Sequence, residues 1–183
     1  GDNYLYLYCL WVSGSHKGKG YGRMLMEYCL QDARERGKSG VCMLGADKQK
    51  AWLSDQAFAQ KFGFETVDAT EYGYQLLACS LDGAVPRFSP AAKRGEIDGQ
   101  ELTVYYDFQC PYICQSVELI RQYCGERQIP VSLRLVDTQQ KAKELPCVFN
   151  NWAVFYQGKL QTVNLLDAAA LKRMFQREEG RPV

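Results

Sequence analysis

The chain begins with a run from Tyr4 to Val12 that is dense in aromatic and β-branched residues and reads as a buried strand. A glycine-rich loop, Ser13 to Gly22, follows it. From Met24 to Arg36 good helix formers predominate, with Leu25, Tyr28 and Cys29 predicted to share the apolar face. Gly37 ends that helix. Val41 to Leu44 reads as a short second strand. Ser54 or Asp55 is placed to cap a helix running to Lys61, which Gly63 stops. Glu65 to Val67 and Gly73 to Leu81 read as two more strands around a polar turn.

The pattern then changes. Asp82 to Gln100 contains Pro86, Pro90 and several small residues, and reads as a linker between two units, 1–81 and 101–183. The second unit opens on a strand, Leu102 to Phe108. An amphipathic helix follows to about Arg127, with Val117, Ile120 and Cys124 on one side. Val131 to Val136 reads as a strand and Gln139 to Leu145 as a short helix ending at Pro146. Trp152 to Tyr156 and Leu160 to Val163 pair as a hairpin through Gln157-Gly158. Asp167 caps a last helix, Ala168 to Arg177. The order β-α-β-α-β-β-α is that of a thioredoxin-like domain.

Composition narrows the class without choosing a function. The hydrophobic fraction of 46% and the charged fraction of 23% suit a globular protein with a packed core. A formal net charge of +1 gives no bulk field toward nucleic acid or an anionic membrane, so neither is expected as a partner. No apolar run approaches the roughly 20 residues that span a bilayer. The opening Gly-Asp-Asn-Tyr lacks the basic-then-apolar pattern of a signal peptide. The eight cysteines, several within apolar runs, then fit buried thiols in a reducing cytoplasm. The start at Gly1, four residues from a strand-like run, suggests a fragment or processed chain.

The loop carries the chemistry. Gly18-Lys-Gly-Tyr-Gly22 runs from a strand into a helix, where unpaired amides and the helix dipole favour an anion. Glycines let backbone approach a phosphate and permit positive φ. Lys17, Lys19 and Arg23 add charge. A P-loop is excluded, because no lysine stands in the G-x-x-x-x-G-K-[ST] arrangement. The dinucleotide fingerprint fails as well: the glycines alternate, and no acidic residue ends a second strand at the right distance.

The segment Val12-Ser-Gly-Ser-His-Lys-Gly-Lys-Gly-Tyr-Gly22 resembles the loop V-x-P-x-x-R-G-K-G-x-G of GNAT-superfamily N-acetyltransferases. Lys17 stands where that family usually has Arg or Gln, and Gly14 replaces the usual Pro. Lysine keeps the charge but loses the bidentate fork. Lys61-Phe-Gly-Phe64 resembles the family's second signature, a helix closing in Gly-Phe. The resemblance implies an α/β fold consisting of a partial GNAT mixed sheet with helices, and acetyl-CoA as co-substrate. It implies pantetheine pairing to Leu10, Trp11 and Val12 opposite Val41 to Leu44. The pyrophosphate would then take amides from Lys17 to Gly22 (Lys17, Gly18, Lys19, Gly20, Tyr21, Gly22), beside Arg23. It also implies several strands and two helices ahead of Tyr4, which would supply much of the acceptor pocket.

Direct acetyl transfer needs a neutral amine, an adjacent thioester and a proton for the departing thiolate. Many family members place a Tyr four residues before the Gly of Gly-Phe as that donor; here the position is Ala59. The general acid is left unassigned, with Tyr72, Tyr74 or water as substitutes. His16, the one histidine, reads as a loop surface residue.

Cys110 and Cys114 lie one helical turn apart at a strand-to-helix junction, where a thiol can become reactive. The spacing is C-x-x-x-C rather than C-x-x-C. Redox or ligand chemistry and inert thiols both stay open. A zinc site is incomplete, since Cys147 would add only a third ligand and no histidine is available, so no metal is expected. Tyr105-Tyr-Asp-Phe-Gln-Cys-Pro-Tyr112, Leu145-Pro146 and Phe155-Tyr-Gln-Gly-Lys159 resemble the YoaP-like domain over Glu101 to about Phe175. That domain follows GNAT domains at their C-terminal side.

The expectation is therefore an N-acyltransferase acting on a small-molecule or peptide amine, with a thioredoxin-like second unit that helps form or cover the acceptor site. Homo-oligomerisation is left open. The alternatives are a thiol-redox protein, or a non-catalytic CoA-binding protein, with a vestigial acetyltransferase half.

Overall fold

A computed structural model describes residues 3–48, 50 and 53–179. The chain divides into two compact units, Gly1–Phe88 and Ser89–Val183.

In the first unit, strand β1 is Tyr4–Tyr6, helix α1 is Tyr21–Glu35 and strand β2 is Gly40–Ala46. Helix α2 is Gln56–Gln60, and strands β3 and β4 are Glu65–Ala69 and Tyr74–Ser80. The sheet order is β1-β2-β4-β3, with β1 parallel to β2 and the other pairs antiparallel. β2 lies between two partners and is buried at every residue, as its apolar run demands. Gly40 is required there, because a Cβ would stand 2.2 Å from the Cys79 carbonyl oxygen and 2.6 Å from the Tyr4 ring. Asp55 caps α2 by accepting from the Phe58 amide at 3.2 Å.

Two sequence expectations change in this unit. The strand expected from Tyr4 to Val12 is paired only at Tyr4–Tyr6, with the Leu7 amide donating once more to the Cys42 carbonyl. Residues 8–12 then run exposed or half-buried away from β2. The apolar face of α1 also differs. Met26, Leu30 and Ala33 enter the core with Val41, Met43, Phe64 and Leu77, while Leu25 and Tyr28 are exposed and Cys29 is half-buried. The helix carries apolar residues on two faces, and the crossover from β1 to β2 decides which of them meets the sheet.

In the second unit, β5 is Leu102–Tyr106, α3 Pro111–Glu126, β6 Val131–Leu135 and α4 Gln139–Glu144. β7 is Trp152–Tyr156, β8 Lys159–Thr162 and α5 Ala168–Glu179. The sheet order is β6-β5-β7-β8, with β5 and β6 parallel and the rest antiparallel. The β7–β8 turn places Gln157 at φ 52° and Gly158 at φ 75°, the left-handed pair of a two-residue hairpin. Helix α3 buries Ile113, Ser116, Val117, Ile120 and Cys124 at helical spacing against Leu102, Val104 and Val154. Buried Ser116 donates to the Leu166 carbonyl at 2.9 Å and accepts from the Leu166 amide at 3.2 Å, which pins the approach to α5. The Asp167 carboxylate then accepts from the Ala170 amide and caps α5.

Residues 82–100, expected as a linker, are hydrogen-bonded along much of their length. Tyr4 Oη donates to the Ala84 carbonyl, and the Phe88 amide donates to Asp68 Oδ2. From Ser89 onward the partners lie in the second unit: Ser89 Oγ donates to the Lys143 carbonyl and the Gly95 amide to the Pro146 carbonyl.

Candidate functional site

The glycine loop is the most developed anion-binding geometry in the first unit. A single 3₁₀ turn, Gly14–His16, leads into it, closed by the Lys17 amide donating to the Gly14 carbonyl at 3.3 Å. The Lys17 amide is thus engaged. Gly18 and Gly20 adopt φ 74° and 82°, and neither has an atom within 4 Å of where a Cβ would stand. Side chains are excluded by backbone conformation, and the space over the loop is open. Gly20 is the N-cap of α1 and lends it no side-chain cap. The first helical bond is the Met24 amide donating to the Gly20 carbonyl at 3.1 Å. The amides of Tyr21, Gly22 and Arg23 therefore have no intrahelical acceptor, and the helix dipole adds positive potential where they point.

The basic side chains remain available. The Lys17 ammonium sits 5.3 Å from the centre of the Trp11 ring, and Arg23 makes an exposed pair with Glu27 at 3.4 Å. An exposed i,i+4 pair of this kind holds its partners weakly, so an incoming phosphate can compete for Arg23. Lys19 is exposed on the same loop. The loop thus presents free amides, a helix N-terminus and basic side chains, a combination that fits a pyrophosphate.

Leu10, Trp11 and Val12 lie in the stretch that leaves β2. Pairing on that side ends at Cys42, while β2 continues to Ala46 against β4. Residues 8–12 therefore lie outside the β1–β2 ladder. The Leu10 amide is engaged, donating to Ser54 Oγ at 3.3 Å. Ala59 is fully buried in the core, so no acid stands at that position. His16 is exposed, its ring 6.1 Å from that of Tyr21.

The periodicity did not reveal the apolar surface beside the loop. Trp11 and Tyr28 are 65% and 71% exposed, and with Tyr21, Met24 and Leu25 they line an open hollow of ≈ 570 Å³. A signal for it exists in hindsight, since α1 has more apolar positions than one buried stripe can use.

In the second unit, Cys110 is the half-buried N-cap of α3, with Pro111 in the first turn. Cys114 is exposed, and its thiol points to the Cys110 carbonyl across 3.9 Å. Cys147 is buried, donates to the Phe149 carbonyl and is pushed up to about 12 by burial. Burial likewise raises Cys29, Cys79 and Cys124, and takes Cys42 to about 11. No group of three metal-ligating side chains exists among the described residues. No helix among them is long and apolar enough to cross a membrane.

Residues 1–64 match the acetyltransferase (GNAT) family model, and residues 130–173 match the YoaP-like model. The protein called uncharacterized N-acetyltransferase YoaP of Bacillus subtilis (strain 168) is 26% identical over 174 residues. That alignment takes in 94% of this chain and 69% of the relative. No solved structure matches the chain. The two family matches thus fall on separate segments, the GNAT one toward the N-terminal side and the YoaP-like one toward the C-terminal side.

Proposed function

We propose that the first unit binds acetyl-CoA through the Gly18–Arg23 amides and takes part in acetyl transfer to an amine. The observation that carries this is the loop itself: Gly18 and Gly20 at positive φ, opening a helix whose first amides lack acceptors. Lys17, Lys19 and Arg23 neutralise phosphate charge there. The backbone of Trp11 and Val12, outside the β1–β2 ladder, suits the amide-bearing pantetheine arm. Leu10 would contribute its carbonyl, because its amide is held by Ser54.

The chain's part in the transfer is positioning. A thioester held at a fixed depth along residues 10–12 meets a neutral amine without any covalent enzyme intermediate. The proton for the departing thiolate comes from water or from a tyrosine rather than from position 59. Acceptors are small-molecule or peptide amines. CoA binding without turnover is the second reading, and the buried methyl of Ala59 is what favours it.

Two measurements separate these readings. Titration calorimetry with acetyl-CoA reads binding, and CoA release across a panel of amines reads turnover. Binding with release supports transfer, binding alone supports the second reading, and absence of both overturns the proposal.

A further inference from the structure

We propose that Cys110 and Cys114 form a reversible dithiol in the second unit that exchanges with exposed peptide disulfides. All eight cysteines are free thiols in the structure, but they are not equivalent. Cys42, Cys124 and Cys147 are buried; Cys29 and Cys79 pack half-buried against the first core. Cys9 is exposed but has no cysteine near it in the chain. Cys110 and Cys114 alone combine access with a partner one helical turn away.

The geometry gives the two thiols different tasks. Cys114 is exposed and meets the incoming disulfide. Cys110 is half-buried, packs against the second core and is held in place as the N-cap of α3. The Cys114 thiol lies 3.9 Å from the Cys110 carbonyl oxygen, one turn along the helix that Cys110 caps. Four residues of helix rise about 6 Å, within the Cα separations that a disulfide tolerates. Cys114 is exposed, so a bond to it is open to reduction, which favours exchange over a structural cross-link. Phe108 and Tyr112 flank the pair at 63% and 65% exposure and offer apolar shoulders to a peptide.

The reaction balances without any further oxidant. The Cys114 thiolate attacks one sulfur of a disulfide R–S–S–R; the S–S bond breaks and RS⁻ leaves, taking up the proton that Cys114 lost. The Cys110 thiolate then attacks the Cys114 sulfur and expels the second RS⁻, closing the internal disulfide. The chain's two thiols lose two electrons and the peptide disulfide gains them.

The test uses the full chain in a Cys9→Ser background, equilibrated in glutathione/glutathione-disulfide buffers, alkylated and mapped by peptide mass. The expected result is a Cys110–Cys114 disulfide in oxidising buffer that reverts to two free thiols in reducing buffer. Cys110→Ser should trap glutathione on Cys114, at least about tenfold above the parent, because the resolving thiol is gone. Serine is a favoured N-cap, so this variant keeps α3 intact. The proposal is overturned by an internal disulfide that never forms in native protein. It is equally overturned by Cys114 glutathionylation that is the same in parent and Cys110→Ser.

Discussion

Gly20 shows how single residues set this molecule's chemistry. At φ 82° it turns the chain into α1 as its N-cap, and the first helical amides have no acceptor within the helix. A β-branched residue there strains the left-handed conformation by about 1–2 kcal/mol and re-aims those amides. Gly20→Val is expected to weaken acetyl-CoA binding about tenfold or more, read by calorimetry, while the unit stays folded. Gly40 acts differently. Its missing Cβ makes room for the Cys79 backbone and the Tyr4 ring. Gly40→Ala should lower stability to urea by about 1–3 kcal/mol through overpacking in the central strand. The positive φ of Gly20 was legible in the spacing of the loop. The role of Gly40 was not, because its neighbours come from β1 and β4, far away in sequence. Asp107 adds a pH signature. Burial holds its carboxyl above the usual carboxylate range, although it accepts a bond from the Gln109 amide. The folded state therefore prefers the proton, and the cost of the charged form is fully present above the folded value. That cost fades as pH falls toward the unfolded value near about 4. Asp107→Asn keeps the acceptor and should raise the urea midpoint at neutral pH, with the gain vanishing in acid.

Among the elements, α1 is the one whose sequence reading needed most revision. Met26, Leu30 and Ala33 make one apolar stripe; Leu25 and Tyr28 fall on another. The sequence reading settled on the stripe of Leu25 and Tyr28, but the position of the sheet selects the other. Met26→Ala should cost about 2–5 kcal/mol as a core truncation. Leu25→Ala should stay within about 0.5 kcal/mol, and a reversal of that order in urea titrations would contradict the packing described. The shortening of β1 has the same origin. Its composition favours strand up to Val12, but β2 accepts pairing only as far as Leu7, and propensity without a partner makes no ladder. Helix α3 was easier to read, because Ile113, Val117, Ile120 and Cys124 form one uninterrupted face. The Ser116–Leu166 pair hidden in that face was beyond reach, since the two are separated by 50 residues.

For the whole molecule, two cores in sequence order account for what could be recognised. Each half follows its own alternation of strand and helix, so the element order of both units could be read before any packing was known. The division between Phe88 and Ser89 was harder to see, because residues 82–100 look like linker by composition yet hydrogen-bond as parts of the units. The matches to GNAT and YoaP-like models fall one in each unit. The acceptor leaves no comparable trace. A site for an amine has no backbone signature like that of a phosphate loop, and position 59 carries a buried alanine. The central claim is that the Gly18–Arg23 loop holds the pyrophosphate of acetyl-CoA. Titration calorimetry of acetyl-CoA into the parent chain and into Gly20→Val tests it most directly. The account predicts saturable binding to the parent, competed by CoA, and a loss of about tenfold or more in the variant. Absence of binding to the parent, or equal affinity for both proteins, would contradict it.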